Sequence, residues 1–278
     1  EKLSAILKVA DNLGRSTSAT SSSAISGGLY ASEFKSLNLN DMNTIQKTLG
    51  QMLSNQGWKS VCMSYLKTKN SYVNHSNYKQ AFEYMTETYT LFLKLFETPD
   101  ESFWLKNTLQ ILSVNLRVLG KECDRYYPGD ESTYREVVAL LRKGFQATVA
   151  SRALIKKEAA IGVVNNLLKV YFKNNALGLC EKTFKGFKVV FRSIDFHTLP
   201  LAQRITYRFY EGRLAIFQED YVKAENRLKF CFKECPKNEK RNRARILQYL
   251  IPVQIYFGIF PSHRLIEKYD LNQYIELV

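Results

Sequence analysis

The chain has 278 residues, 45% of them hydrophobic and 24% charged, with 6 Pro and 13 Gly, the make-up of a globule that can fill a core and sustain long helices. No stretch approaches the roughly 20 apolar residues of a membrane span, and five widely spaced cysteines with three scattered histidines argue against both a disulfide framework and a zinc site. The net charge of +14 is silent on the fold; it favours an anionic partner such as RNA, DNA, an acidic protein or a membrane surface, the alternative being a basic protein kept soluble by its charge.

The chain opens with EKLSAILKVADNLG, amphipathic and without a signal-peptide layout. It begins without Met and ends on the apolar run NQYIELV, and so reads as part of a longer protein. Residues 14–28, GRSTSATSSSAISGG, have nothing to bury and read as a flexible linker. Met42, Ile45, Leu49 and Leu53 then recur at helical spacing, with Met52 beside them. Residues 1–56 are therefore expected to hold N-terminal helices around that linker, and residues 57–278 a helical-repeat region.

From Trp58 the text is nearly continuous helix. WKSVCMSYLKTK is followed by NYKQAFEYMTETYTLFLKLFE, bounded by Pro99. SFWLKNTLQILSVNLRVLGKE stops near the turn YYPGD, and Asp130 or Ser132 can cap YREVVALLRKGFQATVASR. Then come EAAIGVVNNLLKVYFKN, LGLCEKTFKGFK, AQRITYRFYEGRLAIFQ, YVKAENRLKFCFKEC and ARILQYLIPVQIYFG. KVVFRSI is the only short candidate strand, and Pro252 is expected to kink or break the last of these helices.

A repeat sits inside this series. Gly212, Tyr221, Ala224, Leu228, Cys231 and Pro236 fit the tetratricopeptide layout: a small residue on the first helix, an aromatic and then Ala opening the second, and Pro after it. Gly212 and Ala224 let two helices approach while Tyr221 and Leu228 fill the groove between them. Weaker echoes run Tyr78, Ala81, Met85 and Leu177, Cys180, Phe184, Phe187. The fold class that follows is all-α, a right-handed solenoid of stacked tetratricopeptide-like hairpins, with ordinary helix hairpins as the plainer alternative.

Catalytic apparatus is not visible. Phosphate-binding glycine loops, HExxH, GxSxG and CxxC are absent. His75 reads as a loop residue, His197 as part of a Pro turn and His263 as a helix start. Cys62, Cys123, Cys180, Cys231 and Cys235 read as buried, reduced thiols, which fits the cytosol or nucleus. No cofactor, metal or small-molecule substrate is expected.

The basic residues carry more signal. Lys237, Lys240, Arg241, Arg243 and Arg245 form the densest run, opposed only by Glu239. Cations where a helix begins oppose its macrodipole, so the run reads as a contact for nucleic acid or an acidic ligand, or else as a solvated loop. Lys182, Lys185 and Lys188 fall at helical spacing on one face, with Arg192 beyond them. Lys156 with Lys157, and Arg204 with Arg208, complete the set. Scattered cations on a helical surface meet phosphates rather than bases, which implies sequence-tolerant, salt-sensitive binding of RNA or DNA.

The C-terminal half also resembles a known family, the PCI-domain subunit of transcription and export complex 2. The residues that carry the likeness are Gln203, Arg204, Thr206, Tyr207, Tyr210, Gly212 and Arg213; Asp220, Tyr221, Ala224 and Glu225; and Arg243 or Arg245 with Ile246, Leu247, Tyr249, Leu250, Pro252 and Val253. Upstream, Asn165, Leu167, Lys169, Tyr171, Phe172, Lys173, Asn175, Leu177, Leu179 and Cys180 are similar to a further segment of it. Residues 160–278 resemble the family closely, and 57–159 only in helical layout.

The resemblance implies a non-enzymatic nuclear scaffold in messenger RNA export, with the nuclear pore as a candidate location. It implies as partners a large scaffold subunit with its own PCI domain and a small, acidic, largely disordered subunit, and nucleic acid bound jointly with the scaffold. On this basis Lys182, Lys185, Lys188, Arg192, Arg204 and Arg208 are expected to clasp the acidic subunit. The family's PCI domain closes with a winged helix, and the wing is expected to be missing from a sequence that stops at Val278. Rival readings are a PCI or repeat subunit of another assembly (signalosome-like and splicing-associated, proteasome lid, or translation initiation) and an enzyme with a motif-free pocket.

Overall fold

A computed structural model describes residues 46–277 apart from 48, 50, 52, 54, 99–103 and 129–130. The linker at 14–28, Met42, Ile45, Met52, Pro99, and the capping side chains of Asp130 and Ser132 lie outside the described residues. Among the described residues the structure is all-helical, with no strands. The helices are α1 (Gln56–Val73), α2 (Tyr78–Phe96), α3 (Trp104–Tyr126), α4 (Glu131–Ala150), α5 (Leu154–Glu158), α6 (Ala160–Lys173), α7 (Leu177–Val190), α8 (Leu201–Phe217), α9 (Tyr221–Glu234), α10 (Lys240–Tyr256) and α11 (His263–Lys268). Short 3-10 turns occupy Phe196–Thr198 and Asn272–Leu277. The chain divides into two compact units between Asn166 and Leu167. In each, neighbouring helices pack on one another, the pattern of an α-solenoid.

In the first unit, Asn55 caps α1 by accepting from the backbone N–H groups of Gly57 and Trp58 at 2.8 and 3.3 Å, and Asn77 caps α2 through the N–H of Gln80 at 3.1 Å. The turn between them, Asn74–Asn77, is short, so α2 runs back along α1. Ser64 Oγ donates to the Tyr84 carbonyl and the Glu87 carboxylate, while Ser71, further along α1, reaches back to Gln80. Tyr65, Met85, Tyr89, Phe92, Leu109, Leu112 and Leu116 are fully buried between α1, α2 and α3. Their polar ends are paired: Tyr89 shares a hydrogen bond with Ser113, and Asn115 donates to the Tyr65 hydroxyl. The short helix α5 sends Lys156, 4% exposed, under the end of α2. There its ammonium donates to the carbonyls of Phe96 and Thr98, both at 2.6 Å. A cation at a helix C-terminus both satisfies orphan carbonyls and opposes the negative end of the dipole, so Lys156 serves the fold rather than a ligand.

In the second unit, α7 buries Cys180, Phe184, Phe187 and Val190 along one stripe. KVVFRSI, the candidate strand, is instead the end of this helix and the turn after it, because Val190 continues that apolar stripe. Phe184, Phe187, Phe191 and Phe196 surround the Tyr207 ring of α8 at centroid distances of 5.1, 5.2, 5.5 and 5.9 Å. Helices α8 and α9 lie antiparallel: the Cys231 thiol meets the Ile205 carbonyl, Arg227 pairs with Glu211, and Gly212 faces Leu228. A Cβ on Gly212 would sit 2.9 Å from Leu228 Cγ and 3.3 Å from Arg227 Cβ, so the missing side chain sets how closely the helices approach. Ala224 is fully buried against Ala215 and Val253.

Helix α10 runs without interruption from Lys240 through the exposed Pro252 to Tyr256. The expected break does not occur. Proline lacks the N–H that would bond four residues back, and the carbonyl this leaves, that of Gln248, receives the Tyr274 hydroxyl at 3.0 Å.

Two outcomes follow from this packing. Ala224→Leu overfills the α8–α9–α10 contact and lowers stability by about 1–3 kcal/mol, measurable as a lower denaturation midpoint; an unchanged midpoint would contradict the contact. All five cysteines are buried, and burial pushes the thiols of Cys62 and Cys231 up to about 12 and that of Cys180 to about 11. A thiol-specific aromatic disulfide reagent at neutral pH should therefore label the native chain far more slowly than the urea-unfolded chain.

Candidate interaction surface

Pro236 ends α9, and the chain turns through Lys237 and Asn238 into α10. On α10, Arg243, Ile246, Leu247, Leu250 and Ile251 are buried at positions i, i+3, i+4, i+7 and i+8, so Arg243 begins the apolar stripe. Its guanidinium donates to the carbonyls of Phe232 and Cys235 at 2.9 and 2.6 Å, and its Nε to the Tyr269 hydroxyl at 2.7 Å. The guanidinium carbon lies 4.0 Å from the Phe232 ring centroid. One buried side chain thus ties the end of α9, the start of α10 and the residue after α11. The expectation that Arg243 contacts nucleic acid is corrected: the side chain is buried, and three of its N–H groups are engaged inside the fold, two of them on carbonyls that the end of α9 leaves open.

The other four members of the run are exposed. Lys237 lies in the turn, Lys240 opens α10, and Arg241 and Arg245, four apart, share its outer flank. Glu239, their single acidic neighbour in the run, is engaged by Asn242, whose amide donates to it at 3.0 Å. Arg204, in the first turn of α8, lies at this same end because α8 is antiparallel to α9. It is half-buried, and its buried Nε has no hydrogen-bond partner among the described residues.

The series on α7 is exposed as its spacing implies. Lys182, Lys185 and Lys188 all face solvent, and Arg192 does so in the following turn. Lys185 pairs with Glu181 at 2.7 Å and holds that carboxyl below its ordinary range. Arg208 differs from the rest of its group. It lies 4.5 Å over the Phe196 ring and pairs at 2.7 Å with Glu211. Glu211 is 6% exposed and is held from its other side by Arg227 at 2.9 Å. A buried carboxylate needs such partners, so Arg208 works first within the fold.

Sequence reasoning missed a second inward arginine. Arg213 lies 4.5 Å from the ring centroids of Phe172 and Tyr249 and 5.7 Å from those of Phe209 and Tyr210, a cation held among π faces. The signal was present in the spacing: Arg213 follows Phe209 and Tyr210 by four and three residues on one helix.

The end of the unit opposite the α9–α10 turn has another character. Phe217, Val222, Tyr256 and Phe260 are 56, 61, 66 and 60% exposed, and Tyr221 and Tyr256 meet at 4.5 Å. The α8–α9–α10 stack is therefore cationic at one end and apolar at the other. Among the described residues no three His, Cys, Asp or Glu side chains gather as a metal set, and no helix is long and apolar enough to cross a membrane.

No family model matches the chain. Its curated relatives include a PCI domain-containing protein 2 homolog of Dictyostelium discoideum, 38% identical over 221 residues, 73% of this chain and 49% of the relative. PCI domain-containing protein 2 of Xenopus laevis is 31% identical over 227 residues, 77% of this chain and 55% of the relative. The Protein CSN12 homolog of Mycosarcoma maydis is 26% identical over 287 aligned positions, 88% of this chain and 62% of the relative. These relatives support the PCI-domain family. The chain spans about half the length of the first two.

Arg243→Ala leaves two buried carbonyls and a buried hydroxyl unpaired and should cost about 2–4 kcal/mol in urea unfolding. Arg241→Ala, on the exposed flank, should stay within about 0.5 kcal/mol. Equal costs would contradict the division of the basic run into inner and outer members.

Proposed function

We propose that the chain is the helical-repeat part of a PCI scaffold subunit of a nuclear messenger RNA export complex, and that it binds rather than catalyses. The observation that carries this reading is the likeness to PCI domain-containing protein 2 over about three quarters of the chain, joined to a basic end left free by the fold. In this reading a large PCI-containing scaffold subunit is the main partner. RNA or DNA is held, without sequence preference, by Lys237, Lys240, Arg241 and Arg245, with Arg204 beside them. The exposed Lys182, Lys185, Lys188 and Arg192 face the small acidic, disordered subunit. Point charges on a helical surface meet phosphates and carboxylates alike and carry no code for bases.

A second reading rests on the likeness to Protein CSN12 homolog over 88% of the chain: a PCI subunit of a signalosome-like assembly. The two separate by co-purification, since the first requires an export scaffold and the second signalosome-type subunits.

The nucleic-acid part of the reading has its own test. Lys240→Glu with Arg241→Glu should weaken binding of a labelled single strand by at least tenfold at 50 mM salt, make the dependence on salt less steep, and leave helical content unchanged. Binding that resists both the substitutions and added salt would sink it.

A further inference from the structure

At the end of the second unit away from the basic run, exposed apolar side chains gather on two turns. Phe217 and Val222 flank the α8–α9 turn, and Tyr256, Phe257, Ile259 and Phe260 follow one another where α10 ends. The Tyr221–Tyr256 contact at 4.5 Å joins the two groups. These six make up nearly half of the large hydrophobic side chains that stand exposed among the described residues. An apolar concentration of this kind marks a surface that another molecule covers.

Hydrogen bonds fix both turns. Gly258, at φ 76°, closes α10 in the left-handed conformation: its N–H donates to the Ile255 carbonyl at 2.8 Å, and that of Ile259 to the Gln254 carbonyl at 2.9 Å. Past the loop, Pro261 is buried and Ser262 caps α11, accepting from the Leu265 N–H at 3.3 Å. At the other turn the Asp220 N–H donates to the Ala215 carbonyl at 3.0 Å, and the Asp220 carboxylate caps α9 through the Lys223 N–H at 3.1 Å. Phe260 and Val222 therefore stand on backbone that is already ordered, so covering them costs little further chain entropy.

The charges say what covers them. Glu219 and Asp220 lie exposed between Phe217 and Val222, and no ion pair engages either among the described residues. The next cation along the chain, Lys223, instead assists Lys185 in holding the Glu181 carboxyl below its ordinary range. Glu219 holds φ at 59°, a conformation that suits Gly or Asn better, so the turn itself gives no reason for a carboxylate there. The exposed His263 and Arg264 lie past the loop, at the start of α11.

We propose that this end docks an amphipathic helix of a partner protein, its apolar face on the aromatic loop and its lysines or arginines against Glu219 and Asp220. A helix fits because it satisfies its own backbone, whereas helices offer no strand edge for an extended peptide to join. The basic run stands at the far end of the stack and does not repel such a partner in physiological salt. The proposal is independent of the export reading, since it uses neither the basic run nor the α7 lysines.

The test uses the whole chain and a labelled synthetic helix of about five turns, with leucine at i, i+3, i+4 and i+7 and lysine beside that stripe. Binding is read by fluorescence anisotropy in physiological salt. The controls are a shuffled peptide of equal composition and an analogue with glutamate for lysine. The lysine helix should bind at least about tenfold more tightly than either control. Phe260→Ala should weaken it roughly 5- to 30-fold. Glu219→Lys with Asp220→Asn, the latter keeping the α9 cap, should bring the lysine and glutamate helices within about threefold of each other. All three side chains are exposed, so helical content should not change. Lys240→Glu with Arg241→Glu should leave the lysine helix within about twofold, so a failed basic run and a failed apolar end read differently. The proposal is overturned if the lysine helix fails to bind, if either control binds as well, if Phe260→Ala binds normally, or if the acidic substitutions leave the preference intact. It is also overturned if sedimentation shows the chain pairing with itself through Phe260.

Discussion

Everything in the second unit depends on the near contact of α8 and α9. Two helices pack close only where one of them offers almost no side chain, and Gly212 supplies that gap opposite Leu228. Ala224, one turn earlier on α9, carries the same economy to α10 through Val253. Glu211 is buried at this seam, and Arg208 and Arg227 converge on it. The buried Glu211 carboxylate depends on these two arginines, and removing both would strand its charge in a dry place.

The chain's excess of cations is sorted by the same geometry. Arg243, Arg213, Arg208 and Lys156 are turned inward, each matched to a specific acceptor: helix-end carbonyls for Arg243 and Lys156, ring faces for Arg213, a buried carboxylate for Arg208. Guanidinium suits such positions because it is flat, weakly hydrated and offers several donors at once. Cations that fall off the apolar stripes, among them Lys182, Lys188, Lys237 and Arg241, face water and set the field that a partner meets. Counting basic residues in the sequence overstates that field, since it cannot separate an arginine that neutralises a helix end from one that greets a ligand.

Much of the helix order was legible because each long helix carries an apolar stripe and a breaker at its end. Three details were not. The five-residue α5 is too short to show a period. The first turn of α10 reads as loop because Lys240, Arg241 and Asn242 bring no apolar residue, although Arg243 stands at i and Ile246 and Leu247 at i+3 and i+4. Pro252 looked like a stop because the remedy lies 22 positions downstream, in the hydroxyl of Tyr274. The candidate site was legible in its charge but not in its division into inner and outer members, which depends on burial.

Helix α8, 17 residues long, sets the cationic and apolar ends of its stack about 25 Å apart. That exceeds the roughly 8 Å over which charge is felt in physiological salt. Molecules bound at the two ends would therefore neither compete for surface nor sense one another's charge. The gain from joining them is purely one of proximity: once one is seated, the other searches a volume of molecular dimensions instead of the whole compartment. A short stack of helices can in this way raise the local abundance of one guest around another without changing shape.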